Sequence, residues 1–399
     1  MMAEPRILVI NCGSSSVRYQ LRRGATLLLS GTMDGIGGDE PRWCSHTGER
    51  RLAGIADHGG ALAAIFDEVA AARIGQPAAI GHRVVHGGTR FAAPVRIDAA
   101  VRAHIARLAT LAPHHNPRNL QGIEEAEAHY PGVPQVAVFD TAFHHHLPEL
   151  AHRYPLPPVE LAGGEALRRF GFHGISHGSA ARRAADWLRR PLGEVNLITL
   201  HLGNGASAAA IRGGRSIDTS MGFTPLEGLV MGTRCGDLDP ALPLLMQEAG
   251  YSAQQVRELL EHHSGLKALC GSSEMREIRR RAAAGDGAAA FARELFAYRV
   301  KKILGAYIAA LGGADALVFT GGIGAHDAEL RRQCLAGLEA LGIIPGEARM
   351  DDGTGIRALH DAARSRVAVL AMAADEEAEI ARQVRDCLAG EGQAAPEGE

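Results

Sequence analysis

Residues 6–21 read RILVINCGSSSVRYQL, and this stretch decides the fold class. Arg6–Ile10 is a short run of Ile, Leu and Val, the mark of a strand buried on both faces. Cys12-Gly13 ends it, and Val17–Leu21 is read as a second strand. The plan returns in mid-chain, where Val195–Leu200 breaks at Gly203-Asn204-Gly205 and a further strand follows Ala206-Ser207. Either copy alone is an ordinary hairpin. The pair, falling in different halves, points to internal duplication, with two halves facing each other across a cleft, the usual home of a nucleotide.

The rest of the chain alternates in the same manner. Val133–Phe139, Ala316–Thr320 and Val367–Leu370 are strand runs. Ala99–Leu111, Ser176–Arg189, Gly287–Leu311 and Asp375–Leu388 carry helical periodicity. Ser252 with Gln255 marks a capped helix start, Asp327 caps a helix that stops at Gly342, and the tail from Ala389 is expected to be disordered. Strands alternating with helices make an α/β fold.

With 399 residues, two domains are expected. A net charge of −3 gives no field to attract nucleic acid. Lys occurs only at Lys267, Lys301 and Lys302, so any anion-binding cation is expected to be an arginine. The six cysteines show no C-x-x-C pair, which suits a reducing cytoplasm. The opening residues read as a strand rather than a signal peptide, and no apolar run reaches the ~18–20 residues of a membrane span.

Three glycine- and hydroxyl-bearing turns follow apolar strands: Asn11–Ser16, Leu202–Ser207 and Gly321–Gly324. Glycine lets main-chain N–H groups approach phosphate oxygens, and Ser hydroxyls add donors. Neither a P-loop nor a dinucleotide fingerprint is present. A second set of polar segments comprises GHRVVHGG (81–88), HNP (115–117), VFDTAFH (138–144), RRFGFHGISH (168–177) and DTSMGFTPLEGLVMGTRCGDLDP (218–240). Arg83 and Arg234 offer planar forks to phosphate or carboxylate. His115, His173 and His201 offer donors, and Asp140 follows a strand. Most Arg and His residues of any protein are plain surface groups, and His144-His145-His146 is read as such an exposed run. A zinc site on His173 and His177 is disfavoured, because Gly174 weakens the helix and no third ligand accompanies the pair.

Taken together these strings resemble the acetate kinase family, within the larger group of sugar kinases, actin and heat-shock ATPases, from about Ile7 to Ala381. The resemblance implies two duplicated actin-like (ribonuclease H-like) α/β domains with a nucleotide cleft between them. Residues 1–141 plus 378–399 would form a discontinuous N-terminal domain, and 142–377 the nucleotide-binding C-terminal domain. It implies phosphoryl exchange between ATP and acetate, giving ADP and acetyl phosphate, with Mg²⁺ (or Mn²⁺) as cofactor, in a cytoplasmic homodimer. Propionate or butyrate kinase is the alternative, and a non-catalytic, nucleotide-gated actin-like protein the more distant one.

The resemblance also implies residue roles. Arg83 and Arg234 grip the acceptor carboxylate and the migrating phosphoryl group, His115 and His173 stabilise the transition state, and Asp140 acts near the acceptor oxygen. Val85, His114, Phe172 and Pro225 line the acyl pocket. Ser14, Ser16, Arg18, His201, Leu202, Gly203, Asn204, Gly205, Glu274, Met275, Arg276, Gly322, Ile323 and Gly324 surround the nucleotide, and Asn11 and Glu376 hold the metal. Five positions, in four places, depart from the family pattern. Arg18 replaces Lys, His114 an apolar residue, Glu274 an Asp, and Ala325-His326 a Glu-Asn pair.

Overall fold

The computed structural model describes residues 4–38, 41–46, 48–51, 55–159, 164–350 and 353–391. The chain divides into two compact units. The first takes the described residues up to His145, those within 159–166, and those from Asp375 onward; the second takes 146–158 and 167–374. Glu376 thereby belongs to the first unit.

The first unit is built on an eight-stranded sheet. Its strands are β1 (Arg6–Cys12), β2 (Ser16–Arg23), β3 (Thr26–Asp34), β4 (Arg42–Ser45), β5 (Gly48–Arg51), β6 (Ala79–Val84), β7 (Val95–Arg96) and β8 (Gln135–Phe139), in the order β5-β4-β3-β2-β1-β6-β8-β7. β1 runs antiparallel to β2 and parallel to β6, which runs parallel to β8. The three parallel strands are almost wholly buried and apolar, as strands covered on both faces must be. Leu8, Ile10, Leu21, Ile65 and Phe66 fill one core between the sheet and the helix His58–Ala71. Full burial of each such side chain contributes about 1.5–3 kcal/mol.

The second unit repeats the plan. Its strands are β9 (Asn196–Leu202), β10 (Ala206–Arg212), β11 (Arg215–Thr219), β12 (Ala316–Thr320), β13 (Pro345–Met350), β14 (Ile356–His360) and β15 (Ala368–Met372), in the order β11-β10-β9-β12-β15-β14-β13. β9 is antiparallel to β10 and parallel to β12, which is parallel to β15. The run β11-β10-β9-β12-β15 therefore matches β3-β2-β1-β6-β8 in order and direction, so both sequence hairpins are real and equivalent.

Several readings need correction. The turn Gly321–Gly324 is the start of a short helix, Gly321–His326. Gly321 takes φ +76°, and a Cβ there would lie 2.6 Å from the Leu202 carbonyl oxygen, so the chain leaves β12 sharply enough to begin a helix at once. His144 is fully buried rather than exposed, because the turn Ala142–His144 after β8 folds it inward. The last helix runs from Glu376 to Glu391, past the expected end at Leu388; residues 392–399 of the tail lie outside the described residues. The Ser252 capping box is present, as is the helix Gly287–Leu311. No helix among the described residues is long and apolar enough to cross a membrane.

Candidate active site

In open α/β sheets ligands gather at the carboxyl ends of the parallel strands, and each unit places its polar residues there. In the first unit, β1 ends at Asn11-Cys12, β6 carries Arg83 next to its last residue, and Asp140 follows β8. Because Val84 pairs with Phe139 in parallel register, Arg83 and Asp140 arrive side by side. Arg83 Nε donates to Asp140 Oδ1 at 3.2 Å and Nη2 to Oδ2 at 2.5 Å, a two-point fork. The carboxylate is 2% exposed and the guanidinium 18%. Arg83 Nη1 also donates to Asn11 Oδ1 at 3.2 Å, and Asn11 Nδ2 donates to Glu377 Oε1 at 3.2 Å. Burial alone would lower the Arg83 pKa; Asp140, then Glu376 and Glu377, outweigh it and hold it above the usual value. Burial, and then the charge of Glu376, pushes the Glu377 carboxyl up. Asn11, Arg83, Asp140, Glu376 and Glu377 thus form one polar cluster, of which Glu377 has no signal in the sequence beyond its neighbour.

Ser14 and Arg18 are exposed, and Ser16 is half-buried. The turn they flank is tight, with Gly13 N–H donating to the Ser16 carbonyl at 2.7 Å. His115 is the N-cap of the helix Asn116–His129 and is half-buried; His114 is exposed; Val85 is buried.

The second unit gathers histidines. His173 sits at the N-cap of the helix Gly174–Leu188 in the left-handed region, φ 57°, a strained place for a non-glycine residue. Its Nδ1 lies 2.8 Å from Ser207 Oγ, which is also 2.8 Å from His177 Nε2, while His177 Nδ1 lies 2.7 Å from Thr199 Oγ1. Both His177 nitrogens are engaged by hydroxyls in the core. His201 stacks on His173 with ring centroids 4.3 Å apart, and its Nδ1 lies 2.8 Å from Ser176 Oγ. Leu202 is buried; Gly203 and Gly205 are half-buried and Asn204 is exposed, in the turn between β9 and β10.

Arg234 lies in the long loop after β11. Its Nη1 donates to the Pro225 carbonyl at 2.9 Å and lies 3.5 Å from Met231 Sδ. Desolvation lowers its pKa, opposed only in part by Glu261. The loop is anchored by Arg169, which donates to the carbonyls of Ser220 and Met221 and to Glu227 Oε1 at 2.5 Å. Tyr154 Oη donates to the other Glu227 oxygen and accepts the Phe223 N–H. At Gly265, φ +63°, a Cβ would lie 2.6 Å from the Arg234 carbonyl oxygen, so only glycine lets the helix Gly265–Cys270 rest on this loop. Phe172 is buried and Pro225 half-buried. Glu274 and Arg276 are exposed, whereas Met275 points into the interior against Arg293. Gly322 is exposed, Ile323 half-buried and Gly324 buried; Ala325 is fully buried. Arg169, Glu227 and Tyr154 were not singled out in the sequence, since their partners lie far along the chain.

Known proteins resemble this chain in sequence and in fold. The sequence model of the acetokinase family matches residues 6–382. The acetate kinase of Streptomyces coelicolor is 49% identical over 396 residues, covering 96% of this chain and 97% of that protein. That of Syntrophobacter fumaroxidans is 46% identical over 397 residues, covering 95% and 96%. Among solved structures, the acetate kinase of Porphyromonas gingivalis superposes with a TM-score of 0.86 at 36% identity, covering 96% of this chain and all of that one. A propionate kinase from Francisella tularensis superposes at 0.87 with 36% identity, covering 95% and 98%. On sequence match and fold together, the chain belongs to the acetokinase family.

Proposed function

We propose that this chain is an acetate kinase, moving the γ-phosphoryl group of ATP to a carboxylate oxygen of acetate, reversibly and with Mg²⁺. The observation that carries the reading is the state of Arg234: a desolvated guanidinium whose hydrogen bonds, among the described residues, go to a carbonyl and a thioether. A half-buried, desolvated cation without a carboxylate in its fork is suited to an incoming anion.

Acetate is already a nucleophile, so the reaction needs no strong base; the obstacle is repulsion between two anions. Acetate oxygen attacks the γ-phosphorus, the bond to the β–γ bridging oxygen breaks, and ADP leaves with the electron pair. Arg83, its fork pre-set by Asp140, orients the acceptor carboxylate. Arg234 meets the equatorial oxygens of the moving group, and His115 and His173 donate to them. Asn11 and Glu376 offer the hard oxygen donors that Mg²⁺ takes, and Glu377, next to Glu376 and bonded to Asn11, adds a second carboxylate to the same cluster. Held by Asn11 and Glu376, Mg²⁺ or Mn²⁺ would supply positive charge against the phosphate oxygens. The nucleotide is assigned to the turn after β9 and to Gly322–Gly324 at the end of β12.

Propionate or butyrate as acceptor is the second reading, favoured by the likeness to the Francisella propionate kinase and by His114, a polar residue at an acyl-pocket position. A hydroxamate assay for acyl phosphate, run with ATP, Mg²⁺ and a panel of acids, decides. Acetate giving the highest kcat/KM is the expected result. No acyl phosphate from any acid would leave a non-catalytic nucleotide-gated protein standing. A homodimer in the cytoplasm completes the proposal.

A further inference from the structure

We infer that Asn119 is a positioning residue for phosphoryl transfer, because its carboxamide joins the strands carrying Asn11 and Arg83 at the place where they part. The kinetic arm of this inference rests on the function proposed above. β1 and β6 pair in parallel from Ile7 with Ala79 to Ile10 with His82. Beyond that register a side chain continues the ladder. Asn119 Nδ2 donates to the Cys12 carbonyl at 2.9 Å, and its Oδ1 accepts the Val85 N–H at 3.1 Å. A carboxamide presents one donor edge and one acceptor edge, so it stands in for a peptide group. Asn119 is 2% exposed, hence water cannot replace it. One turn earlier on the same helix face, Asn116 does the same for the next residue, accepting the His86 N–H and donating to the His86 carbonyl, both at 3.1 Å. Cys12 follows Asn11 directly, and Val85 lies two residues after Arg83. Where the β1–β6 ladder stops, this amide therefore holds the main chain just after Asn11 against that two residues after Arg83, adding to the direct Arg83–Asn11 hydrogen bond, though it touches neither reactant.

The test uses two variants of the full chain. Asn119→Leu keeps the volume and leaves both main-chain groups unmatched; kcat should fall about 10²-fold, the scale of an ångström of misplacement. Its ADP dissociation constant, measured by calorimetry, should stay within about threefold, since the nucleotide is assigned to the other unit. Asn119→Asp reads the hydrogen-bond pattern itself. Ionised, it faces the Cys12 carbonyl with an acceptor. Protonated, its O–H donates to Cys12 and its C=O accepts from Val85, as the amide does. Burial raises such a carboxyl pKa, so activity relative to wild type should climb as pH is lowered from about 8 to about 6. A role in packing alone gives a ratio that does not titrate. An Asn119→Leu enzyme within about threefold of wild-type kcat, or a flat Asp-to-wild-type ratio, overturns the inference; if the Leu variant fails to fold, the ratio decides alone. Should wild type make no acyl phosphate, that defeats the reaction and not the clamp. Exchange of the Val85 amide then decides: slow in wild type and fast in Asn119→Leu, which removes the acceptor of that N–H, supports the clamp, and equal rates refute it.

Discussion

In the first unit the guanidinium of Arg83 meets a buried carboxylate across a two-point fork; in the second that of Arg234 leans on a carbonyl and a sulfur. One charge is satisfied by the fold and the other is not. The direction of the pKa shifts follows: Asp140 helps hold Arg83 up against burial, whereas desolvation brings Arg234 down. The difference separates geometry from charge. Arg83 is held in place before any ligand arrives, while Arg234 keeps its charge for the ligand and costs the folded state stability.

That contrast is easiest to break in turnover. Arg234→Ala should lose about 10³-fold or more in kcat, the scale of an arginine finger, and steady-state kinetics showing less than about a tenfold loss would remove Arg234 from the transition state. Arg234→Lys should recover little, because an ammonium cannot present the planar fork. In urea denaturation the ranking should reverse. Arg83→Ala removes the two-point fork from the buried Asp140 carboxylate and should cost about 3–5 kcal/mol, whereas Arg234→Ala should be neutral or stabilising. Equal losses of stability in the two variants would show that Arg234 has a compensating partner.

A smaller effect probes the histidines. Ser207 Oγ lies between His173 and His177, so Ser207→Ala should turn His173 loose at its strained N-cap. A loss of about tenfold in kcat is expected, within the range for a group that orients a donor. No change in kcat would mean that the other contacts of the ring, the His201 stack among them, hold it without Ser207.

How much of this was legible in the sequence depends on the range of the interactions. Both strand–turn–strand units could be read, because a glycine turn after an apolar run is a local signal. So could the helix Gly287–Leu311, which ends at a left-handed glycine, Gly312. The helix at Gly321 could not, since it depends on the approach of Leu202 from another strand. Asn119 carried no signal at all. Its partners Cys12 and Val85 lie 107 and 34 residues away, and a buried Asn in a helix looks like any surface Asn until the fold is known. Arg169 was hidden for the same reason, beside the equally plausible Arg168.

The smallest expected effect concerns acid. His82 is buried with Nε2 2.6 Å from Gln135 Oε1, and burial lowers its pKa to about 4 despite that bond. A histidine whose folded pKa is depressed stays neutral in the native state but takes up a proton in the unfolded chain. Its contribution is therefore complete above the unfolded value near 6.5 and is lost as pH falls from there toward about 4. His177, between two hydroxyls in the second unit, is the natural comparison. His82→Gln keeps a donor for Gln135 and cannot titrate. Its urea stability should be slightly below wild type at neutral pH, yet should fall less steeply between about pH 6.5 and 4, by up to one proton in the slope. Parallel curves for variant and wild type would mean that His82 is already protonated in the native state, with Gln135 as acceptor. The acid sensitivity of the first unit would then lie with His86, whose pKa burial also lowers to about 4.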